Sequence, residues 1–264
     1  MKKTAARILI ALPLLALVLL TLWREDLRLW QAVSFAVVVL AAKEWGKLAG
    51  FEGQSNLFYT GWFALFAVIG EIFFSYNHTA RELFLFAISV FWAVVVPWCL
   101  LGNRCFGRII QGALGMLLLF AAWHAAGILF AADTNLLLAV FILVWVADTA
   151  AYFGGRRLGQ NALAPTISPG KTREGFLVAL AAVFLCAGAA TWLFPDIPPA
   201  WLLAAAFSLF CLSVLGDLFE SMNKRQAGVK ESGSLLGAHG GVWDRVDAMV
   251  PVLPFAALLS SWSI

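Results

Sequence analysis

The residue types capable of chemistry gather in a few short segments of the C-terminal half. Asp217, Glu220, Ser221 and Lys224 fall at i, i+3, i+4 and i+7, which sets them on one face of a helix, with Leu218, Phe219 and Met222 on the other side. An ionised carboxylate at membrane depth is expensive, so such a group normally faces a polar cavity and marks function. The bland alternative is a carboxylate paired with Lys224 for stability at a helix end. The stripe is polar throughout and continues into the basic residues Arg225 and Lys230, which favours a working site.

A second segment reads His239-Gly240-Gly241-Val242-Trp243-Asp244-Arg245-Val246-Asp247. Two glycines ahead of a helix start let backbone N–H groups approach an anion, and the helix N-terminus adds positive potential. Asp244 and Asp247 stand one turn apart, and carboxylates beside a phosphate site commonly hold Mg²⁺. Taken alone, the same residues also read as turn glycines and a capping aspartate. The third segment runs from Ser168 to Gly175. Ser168-Pro169-Gly170 is a turn, and Lys171-Thr172 followed by Glu174 opens a helix with a threonine cap. Topogenic charge plus a cap is its plain reading, and it lacks the Walker spacing. Asp148, with Tyr152 one turn on, adds a further acid near the same face, or else a buried Asp–Tyr hydrogen bond.

No Ser-His-Asp set and no HExxH stands out. His78 falls in an outer loop, and His124 lies in an apolar run, where a satisfied structural histidine is the better reading. Acids, bases and a glycine pair on one membrane side are what nucleotide chemistry requires: Mg²⁺ to neutralise a polyphosphate, cations to hold it, and a lipid-accessible acceptor.

The elements that carry these residues follow from composition. Hydrophobic residues make up 62% of the 264 and charged residues only 12%, against roughly a quarter charged in a soluble domain. Apolar stretches of about twenty residues, the length a bilayer core demands of a helix, recur from end to end. The short alternating segments of a membrane barrel are absent. The expected fold is all-α: a polytopic integral membrane helical bundle of about nine transmembrane helices, at 8–23, 27–42, 57–75, 83–101, 109–131, 136–153, 176–194, 200–219 and 246–262. The first follows Lys2, Lys3 and Arg7 as a signal peptide would, but no small-x-small cleavage site follows, so it reads as a retained anchor. With the N-terminus cytoplasmic, all of the 18 Lys and Arg residues except Arg24, Arg28 and Arg81 fall inside, as the positive-inside rule demands.

The expected organisation is an N-terminal transmembrane scaffold and dimer surface over 1–135. A catalytic region over 136–264 carries two cytoplasmic loops, 154–175 and 220–245. Cys99, Cys105, Cys186 and Cys211 show no CxxC spacing and read as buried free thiols. Nothing suggests nucleic acid as a partner. A transporter would want midplane polar sites in two matching halves, whereas the polar groups here sit at one face of one half.

At this point the residues resemble a known family. Ser221-Met-Asn223-Lys224-Arg225, Lys230-Glu231-x-Gly233-x2-Leu236-Gly237-x-His239-Gly240-Gly241 and Asp244-Arg245-x-Asp247 closely resemble the signature of the phosphatidate cytidylyltransferases, the CDP-diacylglycerol synthases. Gly216-Asp217-Leu218-x-Glu220-Ser221, Ser168-Pro169-x-Lys171-Thr172-x-Glu174-Gly175 and Asp148-x3-Tyr152-Phe153-x-Gly155-Arg156 look like further family motifs in the same order. The first half agrees only in hydropathy, apart from Glu44-Trp45. Two positions depart from the pattern: Asn223 stands where the family usually has an apolar residue, and Glu231 where it has Asp.

The resemblance implies transfer of the cytidylyl group of CTP to phosphatidic acid, giving CDP-diacylglycerol and pyrophosphate for phospholipid synthesis. It implies Mg²⁺, held by Asp217 and Asp244 with Asp247 and Asp148 in support. Lys171, Lys224, Arg225, Lys230 and Arg245 would bind phosphates, and His239-Gly240-Gly241 would shape the nucleotide loop. Ser168, Thr172 and Ser221 join the substrate-binding set, while Asp217, Asp244 and Lys224 form the catalytic one. Further implications are a homodimer in the bacterial inner membrane and a site facing the cytoplasm. The nearest alternative is a CTP-dependent polyprenol kinase or a cytidylyltransferase for another lipid phosphate.

Overall fold

The computed structural model describes residues 20–21, 23–102, 106–233 and 240–263. Helix α1 spans Leu27–Leu48, α2 Gly53–Tyr76, α3 His78–Gly102, α4 Arg108–Ala132 and α5 Thr134–Leu158. A small antiparallel hairpin follows, β1 (Ala162–Ala164) and β2 (Ser168–Thr172). Then come α6 (Arg173–Ala190), α7 (Pro199–Gln226), the single turn α8 (Trp243–Val246) and α9 (Met249–Ser263). The chain is an all-α integral membrane protein, and α2 to α7 are each long and apolar enough to cross a bilayer.

Short polar residues at the helix starts explain the boundaries. Asp26 accepts the N–H groups of Arg28 and Leu29 at 2.9 and 3.2 Å, Asn77 that of Ala80 at 3.1 Å, and Asp133 that of Asn135 at 2.7 Å. Each satisfies an N–H that the helix itself leaves orphaned. Thr172 does the same for α6, accepting from Gly175 N at 3.1 Å, as its sequence context predicts. Glu174 instead reaches back over the hairpin to Asn161 Nδ2 (2.7 Å) and the Gln160 N–H (3.1 Å), pinning the end of the α5–α6 connection.

The expected spans from 27–42 to 200–219 coincide with α1 to α7, and most helices run past the expected edges. Of the span expected at 8–23, only residues 20, 21 and 23 are described. Helix α5 continues to Leu158 and α7 to Gln226, so the polar stripe of α7 is helical throughout. The span expected at 246–262 is divided: α8 ends before Asp247, and α9 begins at Met249 and contains Pro254. Ser168-Pro169-Gly170, expected as a turn, instead lies within the strand Ser168–Thr172, which pairs with Ala162–Ala164. In α3, a π turn over Phe91–Val95 widens the helix just before Pro97, whose ring and missing N–H an α turn would accommodate poorly.

Helix α4 is the axis of the bundle. Its apolar window is 72% buried, against 17% for α2. Small residues permit this: a methyl group on Gly115 would run into the Trp45 indole, and one on Gly70 into Phe120. Trp45 lies flat against that gap and donates from its ring nitrogen to Gln111 O at 2.8 Å. Near the other end of α4, His124 Nδ1 meets Glu71 Oε2 at 2.5 Å, and Gln31 Nε2 donates to Glu71 Oε1 at 3.3 Å. His124 is thus the structural histidine its setting predicts. Cys99 is buried, Cys186 and Cys211 are half-buried free thiols, and Cys105 lies outside the described residues.

Candidate active site

The C-terminal end of α7 supplies the first wall. Asp217 is ion-paired with Lys171, which the β hairpin carries across from the α5–α6 connection. One turn on, Glu220 is 2% exposed and meets Lys224 at 2.7 Å. Lys224 also reaches Asp244 at 3.0 Å, so one ammonium bridges α7 to the α8 segment. Opposite charges held this closely offset the cost of removing each from water.

Asp247 completes the wall. Helix α7 approaches it closely because residue 216 is glycine: a Cβ there would sit 2.5 Å from Asp247 O and 2.8 Å from the Pro251 ring. One carboxylate oxygen each from Asp217, Glu220 and Asp247 lie within 4.8 Å of one another. Glu220 Oε1 is buried and has no hydrogen-bond partner.

Asp244 has different company. It accepts the Gly241 N–H at 2.8 Å and the Ser232 N–H at 3.2 Å, besides the Lys224 ammonium. Burial alone would raise its pKa, but contacts with Glu220, the Gly241 N–H and Lys224 outweigh that and hold it at about 2. Gly240 adopts a φ of +80°, the left-handed conformation that glycine takes without strain. The Gly241 amide, expected to face an anion, is turned onto Asp244.

The remaining predicted residues surround this cluster. A cavity of about 400 Å³ is lined by Asp148, Tyr152, Lys171, Thr172 and Asp217 among others. Tyr152 accepts a long hydrogen bond from Arg156 at 3.5 Å, and the expected Asp148–Tyr152 hydrogen bond is not among the contacts of the described residues. Ser168 begins β2 and Ser221 lies on the α7 stripe, both half-buried. Arg225 is exposed and donates to Ile167 O at 3.4 Å, tying α7 to the hairpin. Lys230 and Arg245 are exposed. His239 lies outside the described residues.

Two carboxylates escape a reading confined to the expected ligands. Glu220 was visible on the stripe but is drawn into the acidic group only by the fold. Glu44, from the last turns of α1, is 1% exposed and accepts the Trp243 N–H at 2.8 Å and the Ser232 hydroxyl at 3.2 Å. Its neighbour Trp45 packs edge-on against Trp243, with ring centroids 4.8 Å apart. The only sequence signal was that Glu44-Trp45 matched a family pattern in an otherwise unmatched half. Asn223, at a position the family fills with an apolar residue, is buried with neither side-chain polar atom hydrogen-bonded.

Comparison with known proteins gives a consistent result. Residues 5–262 match the sequence model described as Cytidylyltransferase family. The chain is 38% identical over 234 residues to a Pseudomonas aeruginosa protein named phosphatidate cytidylyltransferase, covering 85% of each. A Haemophilus influenzae protein of that name is 45% identical over 126 residues, 46% of this chain and 43% of the relative. A Staphylococcus aureus protein, also so named, is 37% identical over 148 residues, 54% of this chain and 57% of the relative.

Proposed function

The chain belongs to the cytidylyltransferase family, and we propose on that premise that it transfers the cytidylyl group of CTP to phosphatidic acid, giving CDP-diacylglycerol and pyrophosphate. The observation that carries the reading is the juxtaposition of Asp217, Glu220 and Asp247 with Lys171 and Lys224 at the ends of membrane helices. A lipid phosphate and a nucleotide polyphosphate, both anionic, need such a place to meet.

The residues present fit Mg²⁺. Oxygens sharing an octahedral Mg²⁺ stand roughly 3 to 4 Å apart, close to the spread of the Asp217, Glu220 and Asp247 oxygens. Glu220 also keeps a buried oxygen without a partner. Asp217 and Asp247 would hold the ion with Glu220, while Asp148 on the cavity wall and Asp244 across Lys224 add negative potential. Such an ion, when bound, neutralises charge on the polyphosphate and its leaving group.

In the reaction, a phosphate oxygen of phosphatidic acid forms a bond to the α-phosphorus of CTP as the bond to the β-phosphate oxygen breaks. The nucleophile is already ionised, so no side chain need remove a proton. Lys171 at the cavity and Lys224 between Glu220 and Asp244 hold positive charge where phosphates converge. Arg225, Lys230 and Arg245, exposed beside them, supply the cations for a second dianion. His239, Gly240 and Gly241 contribute to the nucleotide loop, and Ser168, Thr172 and Ser221 to substrate contacts.

The site faces the cytoplasm of a bacterial inner membrane in this reading, with nine spans and the N-terminus inside. A cytoplasm-active reporter fused after Glu231 is then active. A homodimer is carried over from the family resemblance. Purified protein given labelled CTP, Mg²⁺ and phosphatidic acid should form CDP-diacylglycerol and release pyrophosphate. Phosphorylation of a polyprenol with phosphatidic acid ignored would replace this reading with a CTP-dependent kinase.

A further inference from the structure

Glu44 belongs to the half of the chain that carries no other part of the acidic cluster, yet it is buried at its edge. A single oxygen, Oε2, accepts from Trp243 N at 2.8 Å and from Ser232 Oγ at 3.2 Å. Those two residues flank the segment that contains Gly240 and Gly241. Ser232 is held a second time, its N–H donating to Asp244 at 3.2 Å, and Asp244 follows Trp243 directly in the chain. The neck of the segment is therefore closed by two carboxylates, Glu44 from outside and Asp244 from within. Asp244 passes the registration on to Lys224 at 3.0 Å.

The packing around Glu44 leaves no room for anything larger. A methyl group on Gly233 or Gly241 would run into its carboxylate. Trp45 fixes the helix end that carries it, through the ring contact with Trp243 and the bond to Gln111 O. Burying a carboxylate is costly unless donors meet it, and here the donors are the two ends of the neck. The other oxygen, Oε1, has no hydrogen-bond partner, and the further favourable interaction of this carboxylate is with the backbone of Val242, next to Trp243 at the same end of the neck.

We propose that Glu44 is a positioning residue for the nucleotide side of the site: by tying Ser232 to Trp243 it sets where Asp244 and Lys224 stand toward CTP, acting through hydrogen bonds and not through its charge. The proposal rests on the cytidylyltransferase reading for its kinetic arm only.

The test uses the full-length detergent-purified protein. Glu44→Ala should raise KM for CTP about tenfold, the size expected from losing hydrogen bonds to a charged acceptor. KM for phosphatidic acid should stay near wild type, while the thermal midpoint should fall because the Trp243 N–H and the Ser232 hydroxyl lose their acceptor. Glu44→Gln keeps an acceptor at the Oε2 position and should remain within about threefold of wild type on the same scale. Gly233→Ala, which displaces the carboxylate without removing it, should reproduce the rise in KM for CTP even if the Glu44→Ala protein fails to fold. In parallel, amide hydrogen exchange of the peptides holding Ser232 and Trp243 should quicken in Glu44→Ala and not in Glu44→Gln. An active series in which neither Glu44→Ala nor Gly233→Ala moves KM for CTP overturns the proposal, as does a Gln variant as impaired as Ala. If wild type shows no CTP turnover, the functional reading fails, and the exchange arm still decides whether Glu44 holds the neck.

Discussion

Among the described residues, two part-buried polar clusters are built on opposite principles. Between α1, α2 and α4, one carboxylate, Glu71, is met by one histidine and one glutamine, at 2.5 and 3.3 Å. Each Glu71 oxygen has one partner, while His124 Nε2 is buried without one. Where the C-terminal end of α7 meets α8 and the residue that follows it, Asp217, Glu220, Asp244 and Asp247 gather around Lys171 and Lys224. Acids outnumber bases, and a buried oxygen of Glu220 has no hydrogen-bond partner. A low-dielectric region does not hold a surplus of like charge for stability. The first cluster fastens three helices together, and the second is the one that the proposed reading assigns to a cation.

Breaking the surplus should have the largest effect. Asp217→Asn and Asp244→Asn should each insert normally and lower Mg²⁺-dependent turnover by at least about a hundredfold, the lower range for losing a positioned electrostatic group. The double variant should be little worse than either single one. Near-normal turnover at saturating CTP and modest Mg²⁺ in the Asp217 variant would remove the ion from the acidic group.

Lys224→Met should come next. It leaves Glu220 and Asp244 facing each other without a cation, so both CTP turnover and thermal stability should fall, the latter by about 3 kcal/mol for a broken buried pair. Adding Glu220→Gln should recover part of the stability but not the turnover. Recovery of both would mean that the lysine is structural only.

The fastening should behave in the opposite way. His124→Leu strands Glu71 and should cost about 1 to 3 kcal/mol, read as a lower thermal midpoint, while the kinetic constants for CTP stay unchanged. A changed Mg²⁺ requirement in this variant would erase the contrast between the clusters. Smallest of all, Asn223→Leu should gain about 1 kcal/mol, because it replaces two unsatisfied buried atoms with a side chain that needs no partner. A lower midpoint would show that Asn223 has a polar task.

How far these clusters could be read beforehand depends on sequence separation. The α7 stripe, the Thr172 cap and the structural role of His124 rest on residues a few positions apart, or on the apolar setting of one helix, and all three were legible. The contact of Glu44 with Trp243 joins residues 199 positions apart, and no local pattern announces it. Gly216 looked like part of a motif, whereas its reason is the backbone of Asp247 pressed against it. The hairpin escaped because Ala162-Leu163-Ala164 has neither the β-branched residues nor the alternation that marks a strand. The division at Asp247 escaped because apolar residues continue on both sides of it, and hydropathy alone does not register a backbone that leaves and re-enters a helix.

The bare backbone at Gly216 also acts as a gauge. Without a side chain at Gly216, α7 packs directly against the Asp247 carbonyl and the Pro251 ring, which brings the elements that carry the acidic group close together. Metal–oxygen distances are tolerated to about 0.2 Å, and Mg²⁺ differs from Ca²⁺ by roughly 0.3 to 0.5 Å in bond length. One methyl group inserted at this point would wedge the elements apart by more than that difference. If Mg²⁺ binds as proposed, selectivity for a small, strongly hydrated cation over a larger one would be set by a residue that offers no ligand atom.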